Sequence, residues 1–244
     1  MNANVYEISY LGLAIAFIPV LPLFYFYFHW QLGVKKLGYG LARMLGQLLV
    51  IGYFLTFIFD TDSWAFVVFL LTIMLLASSW IALGEVEIHR WSMLKYAFIS
   101  IVVGGGITLL IVTQGVIALD PWYQPRYMIP LAGMIFANSM NAVSLAAERL
   151  NSEISSGSDY EKAKGVAFRA AMIPVTNSLL AVGLVSLPGM MTGQILSGVS
   201  PLIAARYQIM VMCMITGSAG VSAVIFLTLA KAHAWKSSVI KVDH

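Results

Sequence analysis

Long apolar stretches alternate along the chain with short polar ones. Seven stretches have the length of a membrane crossing, at 9–28, 41–59, 64–83, 97–117, 127–147, 173–197 and 207–230. A membrane helix needs about 20 largely apolar residues, so each reads as one crossing. Segments of about ten residues with alternating polarity do not recur, which argues against an outer-membrane barrel. The pattern therefore predicts an all-α fold: a polytopic membrane protein of seven transmembrane helices, forming one integral domain over 1–244. The first stretch does not read as a cleavable signal, because nothing basic precedes it and Glu7 is the only charge there. It runs on into Phe24, Tyr25, Phe26, Tyr27, Phe28 and Trp30, an aromatic cluster suited to a membrane interface.

Composition sharpens this. The chain is 60% hydrophobic and 10% charged, against roughly 25% charged in a soluble domain. That excludes a soluble enzyme, a nucleic-acid-binding module and a disordered chain. Cys213 is the one cysteine, which excludes an intramolecular disulfide and a cysteine-cluster metal site. The net charge of +3 says little, but the layout of the charges says more. With the N-terminus outside and the C-terminus inside, twelve of the fourteen Lys and Arg residues fall on the inner side, and only Arg126 and Arg206 fall outside.

The apolar stretches hold almost no ionisable side chain; Lys, Arg, Asp, Glu and His fall at or beyond their ends. Proton-coupled carriers keep such a group within the membrane, so proton coupling is not expected. A retinal protein would need a lysine midway along the last stretch, and Lys231 comes only at its end. No Gly-Lys pair occurs, so a Walker A nucleotide site is absent and the chain has no ATP hydrolysis of its own by that route.

Polar but uncharged residues remain inside the membrane. Asn138, Asn141, Leu145 and Glu148 follow three-to-four spacing and share a helix face, with Ser144 beside them. Asparagine in lipid is costly unless paired, so this stripe either lines a pathway or glues helices together. The sixth stretch is interrupted at Leu187-Pro188-Gly189-Met190-Met191-Thr192-Gly193-Gln194. Proline with two glycines predicts a kinked or unwound segment. It serves either as a gate, with Pro188, Gly189 and Gly193 as hinges and Met190, Met191, Thr192 and Gln194 lining a path, or as a packing kink. The run Gly104-Gly105-Gly106 reads as a close helix contact. The thirteen methionines read as apolar filling in preference to a Cu(I) path. The four histidines are too scattered for a metal site. One polar segment, 148–172, could form an element of its own on the inner face, either as a solvated loop or as a short helix contacting a partner.

Two blocks carry a resemblance. The first is Trp122-Tyr123-Gln124-Pro125-Arg126-Tyr127-Met128-Ile129-Pro130-Leu131-Ala132-Gly133-Met134, running on to Asn138-Ser139-Met140-Asn141. The second runs from Val185-Ser186-Leu187-Pro188-Gly189-Met190-Met191-Thr192-Gly193-Gln194-Ile195-Leu196 to Gly198, Ser200-Pro201-Leu202 and Arg206-Tyr207-Gln208. In order and spacing they resemble the iron-export ABC transporter permease family of the Fet type, which includes plant permeases linked to aluminium tolerance. The resemblance covers 120–220 best. It implies a permease subunit of the inner (plasma) membrane that exports iron or another metal or small solute. It also implies a separate ABC-type ATPase subunit that supplies ATP, a second copy of the permease, and no cofactor or nucleic acid bound by this chain. The segment 148–172 then looks like the coupling loop that docks on the ATPase, with Glu148, Arg149, Gly157, Ser158, Glu161 and Lys162 as contact residues. Two rival readings stand beside this one: an ATP-independent carrier or channel, and a non-transporting membrane scaffold.

Overall fold

A computed structural model describes residues 8–84 and 90–231. Lys236 and Lys241 of the charge count, with Glu7, His89, His233 and His244, lie outside the described residues. The described residues are helical, with a single isolated β-bridge, Val182 to Ser186, and no strand. Where the hydrophobic pattern reads as one domain, the contacts divide the chain into two compact units, Met1–Thr61 and Asp62–His244.

In the first unit, Ser9 caps α1 (Tyr10–Ile15) by accepting the amide N–H of Gly12 at 3.1 Å. Pro19 and Pro22 then interrupt the ladder, giving a 3₁₀ turn at Ile18–Val20 before α2 (Leu21–His29). Together they make one apolar run of membrane length, Tyr10–His29. The hairpin is completed by α3 (Val34–Phe59), which packs on α2.

The second unit holds α4 (Trp64–Ala82), α5 (Arg90–Leu110), α6 (Pro125–Ser155), α7 (Tyr160–Ala181), α8 (Gly189–Leu196) and α9 (Pro201–Leu229). A π-helical turn, Ile111–Val116, extends α5. The centre of the unit is α6, which packs against α4, α5, α7 and α9. Small residues recur among the buried positions of these helices: Ala132, Ala142 and Ala146 on α6, Ala163, Ala167 and Ala171 on α7, and Ser218, Ala219, Ser222 and Ala223 on α9. Lipid is as apolar as leucine, so membrane helices associate by close backbone packing, which small side chains permit. Of the three consecutive glycines, Gly104 lies against Ser222 of α9 and Gly105 against Ile135 and Phe136 of α6, while Gly106 faces open space.

Among the described residues, six helical runs are long and apolar enough to cross a membrane: Tyr10–His29, Val34–Leu55, Trp64–Ala82, Arg90–Val116, Pro125–Ser155 and Pro201–Leu229. The seventh expected stretch, 173–197, is not one helix. It holds the last part of α7, a chain reversal and all of α8. Gly183 takes φ +85°, and the amides of Leu184, Val185 and Ser186 all donate to the carbonyl of Ala181. Pro188 disfavours helix at Leu187 and stands as the N-cap of α8. The interruption ends one helix and starts another instead of kinking a single crossing.

Helices also overrun the apolar stretches. Hydrophobicity stops at the lipid boundary, but Glu, Arg, Lys and Ala keep the hydrogen-bond ladder going. Thus α6 continues through Glu148, Arg149 and Glu153, and α7 carries Lys162, Lys164 and Arg169 before reaching apolar sequence. Ionisable side chains that lie outside the apolar stretches are therefore inside helices.

Candidate functional site: the α6–α7 hairpin

The 31 residues of α6 rise about 46 Å at 1.5 Å per residue, well beyond a hydrocarbon thickness of about 30 Å. Residues 148–172 are helical except for the tight turn 156–159. That turn is a Schellman closure of α6: the amide of Ser158 donates to the carbonyl of Glu153 at 3.1 Å, and that of Gly157 to the carbonyl of Ile154 at 3.0 Å. It needs a left-handed residue, which Gly157 supplies at φ +85°. The Ser158 hydroxyl donates to Glu153 Oε2 at 3.0 Å, and Arg149 pairs with Glu153 Oε1 at 2.5 Å. Asp159 then starts α7, its carboxylate accepting the amide of Glu161 at 3.0 Å.

The start of α7 is fastened to the end of α9. Lys231 Nζ lies 2.8 Å from Glu161 Oε1 and sits over the Tyr160 ring at 5.7 Å from its centre. Lys164 reaches the other Glu161 oxygen at 3.6 Å, and the Tyr160 hydroxyl donates to the carbonyl of Leu227. Lys231, through its hydrogen bond, with Lys164 beside it, holds the Glu161 carboxyl below its ordinary value. Glu161 in turn raises Lys231. Burial, aided by the Glu161 charge, pushes the Tyr160 hydroxyl up to about 12.

Further along the same hairpin lies a polar band. The neighbours of α6 run in the order α4, α5, α9, α7, and α4 and α7 do not pack on each other to any comparable extent. The open side of α6 thus faces the gap between them, and there Asn141, Leu145 and Glu148 are exposed, with Asn138 and Ser144 half-buried. Counting equally back from the turn along both antiparallel helices sets Asn138 level with Asn177 of α7, and Asn141 level with Pro174. Asn138 Nδ2 donates to the carbonyl of Met134 at 2.8 Å, which leaves its side-chain oxygen free to accept. Pro174 has no amide hydrogen to give the carbonyl of Ala170, so another acceptor is released in that region. Beyond Glu148 at its tip-side edge, the band therefore offers amide, hydroxyl and carbonyl oxygens and no charge.

Of the expected pathway residues, Asn138, Asn141 and Ser144 lie together on this band. Met190, Met191, Thr192 and Gln194 lie on α8, which packs on α9. Met190 rests against the core, and Gln194 Oε1 is buried with no partner. Pro188 is the N-cap of α8, Gly189 its first residue and Gly193 an exposed position on it. All six expected coupling residues lie on the hairpin between Glu148 and Lys162. Asn177 was not among the candidates, because only the hairpin register shows it level with Asn138. Gln208 was also missed as a site residue: it is 6% exposed on α9, with an unpartnered oxygen.

The family model described as "Uncharacterised protein family (UPF0014)" matches residues 9–235. The chain belongs to the UPF0014 family. Among similar proteins of this family, the UPF0014 membrane protein slr1647 of Synechocystis is 38% identical over 71% of this chain and 73% of its own length. The probable iron export permease protein FetB of Escherichia coli is 33% identical over 81% of each chain. Protein ALUMINUM SENSITIVE 3 of Arabidopsis thaliana is 33% identical over 76% of this chain and 72% of its own. No solved structure matches the chain. The UPF0014 assignment agrees with the resemblance carried by the 122–141 and 185–208 blocks, both of which lie inside the matched region.

Proposed function

We propose that this UPF0014 protein is the membrane subunit of an ABC-type exporter. It works as a pair of identical chains in the inner (plasma) membrane, driven by a separate ATPase subunit that binds the ATP. The observation that carries this reading is that one hairpin, α6–α7, holds both the polar band and the projecting tip. Asn141 is exposed in a single copy. An amide facing lipid is costly, and a second copy across the gap would cover it and enclose an uncharged path. The tip, closed by Gly157 and fastened to α9 through Glu161 and Lys231, is where an ATPase would push, with Glu148, Arg149, Ser158 and Lys162 at or near the contact. Rigid-body motion of the hairpin would then switch access to the band.

The seven-crossing topology, N-terminus out and C-terminus in, belongs to the same reading. The apolar part of α7 below the tip, continued by the 182–188 turn and α8, would supply a seventh crossing beside the six apolar ones. The tip and the α9 end then share the inner face with most of the basic residues. Export of iron or another metal or small solute is supported by the FetB relative. With Glu148 only at its tip-side edge and no carboxylate beside the asparagines, the band fits a chelated metal, or one passed between neutral oxygens, better than a tightly caged ion.

The test is co-purification with an ATP-binding subunit, followed by ATPase assay with and without the permease and metal transport into inverted vesicles. Stimulated ATPase with ATP-dependent uptake is expected. Uptake without any ATPase would mean a carrier or channel, and ATPase binding without uptake a scaffold. Asn141→Leu should abolish uptake with the complex intact; unchanged uptake would remove the band from the pathway.

A further inference from the structure

We propose that the outer face of α7 binds an anionic phospholipid in the leaflet on the hairpin-tip side. Lys162 and Arg169 are seven residues apart, two helical turns, and so share a face. Both are exposed. Neither has a hydrogen bond, ion pair or ring contact among the described residues. The acids of the tip are committed elsewhere: Glu161 to Lys231 and Lys164, Glu153 to Arg149, and Asp159 to the start of α7. Glu148, at the edge of the polar gap, pairs with neither cation. Among the described residues, this face therefore carries two positive charges without a paired acid.

The depth of Arg169 selects the ligand. Glu161 and Lys231 are each 59% exposed and mark the wet end of the helices. Arg169 lies eight residues further along α7, about 12 Å at 1.5 Å per residue; the hairpin register sets it level with Ala146, near the end of the apolar part of α6 and so at the lipid boundary. Its side chain leans back toward the helix N-terminus, so the guanidinium reaches the headgroup layer while the stem stays in lipid. Beyond it the face carries Ile173 and Leu180, 53% and 77% exposed, with Thr176 and Asn177 between them. Gly165, Phe168, Arg169 and Ile173, with Thr176 and Asn177 at the far end, border one open cavity of about 500 Å³, where Gly165 leaves space free of any side chain. A guanidinium at the headgroup level, with Lys162 two turns above it and a largely apolar open surface below, matches a lipid phosphate and its acyl chain; a free phosphate would use only the upper half. Basic pockets beside membrane helices attract anionic headgroups for this reason, and a guanidinium grips phosphate oxygens with paired hydrogen bonds.

The test uses the full chain purified in detergent and native mass spectrometry with phosphatidylglycerol or phosphatidylcholine. Phosphatidylglycerol should be retained over phosphatidylcholine. Lys162→Gln and Arg169→Gln should each weaken that retention about fivefold, and Arg169→Lys should recover most of the loss. Equal retention of the two lipids, or equal phosphatidylglycerol retention by wild type and the Lys162→Gln/Arg169→Gln double variant, would overturn the proposal. So would release of the lipid by millimolar inorganic phosphate. Melting in phosphatidylcholine alone checks that each variant folds, and the single variants and Arg169→Lys decide the matter if the double variant does not. The readout is lipid retention, so its failure leaves the transport reading standing.

Discussion

The crossing of α5 and α9 at Gly104 can be perturbed by a single methyl group. A Cβ built on Gly104 would lie 2.4 Å from the Ser222 hydroxyl, 2.8 Å from its amide nitrogen and 3.1 Å from its Cα. The hydroxyl can rotate, but the backbone nitrogen cannot move without moving α9. To accommodate Gly104→Ala, the helices must open from 2.8 Å toward the 3.4 Å at which ordinary contact begins. Overpacking of this kind costs about 1–3 kcal/mol, and replacing helical glycine by alanine returns about 0.5–1 kcal/mol. The net expectation is a loss of about 1–2 kcal/mol, or about 2–8 °C in melting temperature for a chain of this size. The internal control is Gly106→Ala, two residues away, where nothing lies within 4 Å; it should melt at or above wild type. Adding Ser222→Ala to Gly104→Ala removes the contact with the hydroxyl and leaves the one with the nitrogen, so rescue should be partial. Tryptophan fluorescence melts in mild detergent measure all four proteins. If Gly104→Ala melts together with Gly106→Ala, the close approach of α5 and α9 is not a determinant of stability and the reasoning fails.

Other outcomes follow from the hairpin. Gly157→Val forces a β-branched residue to φ +85°, at a cost of about 1–2 kcal/mol confined to the tip; ATPase stimulation should fall more than the melting temperature of the permease. Tyr160→Phe leaves the Leu227 carbonyl without its donor, a loss of about 1 kcal/mol, read as faster amide exchange at the end of α9. The Glu161–Lys231 contact has a defined pH window. The depressed Glu161 value makes its contribution present above the ordinary 4.5 and lost as pH falls through the lowered value. The raised Lys231 value makes its contribution fully present below the ordinary 10.5 and lost as pH rises through the raised value. A spin-label distance between α7 and α9 should therefore be flat from pH 5 to 10 and lengthen on either side. Because the pair is exposed, high salt should loosen it at neutral pH as well.

Much of this was legible in the pattern of residues. The apolar stretches located six membrane-length helices, because lipid admits only segments that satisfy their own backbone hydrogen bonds. The asparagine spacing identified one face of α6, because helical periodicity is a local property. The close-packing role of Gly104 was also readable, although the same run could not separate it from Gly106, whose surroundings depend on how α5 is turned toward α9. The helical nature of 148–155 and 160–172 was hidden, because charge marks where lipid ends and not where the hydrogen-bond ladder ends. The break at 182–188 was visible as Gly183, Pro188 and Gly189, yet kink and reversal share the same residues. Only the packing of α8 on α9 chose between them.

By itself, then, the sequence determined the solvent, the helical class, the family and which positions on each helix are polar, since all of these depend on neighbours within a few turns. The tertiary structure decided which polar positions come level with one another. Asn177 comes level with Asn138 only because a Gly157 closure folds α7 back on α6, and Met190 to Gln194 part from the asparagines because α8 packs on α9. The fastening of Glu161 to Lys231 joins residues seventy apart, a distance that no local pattern spans and that antiparallel packing of α7 and α9 closes to 2.8 Å.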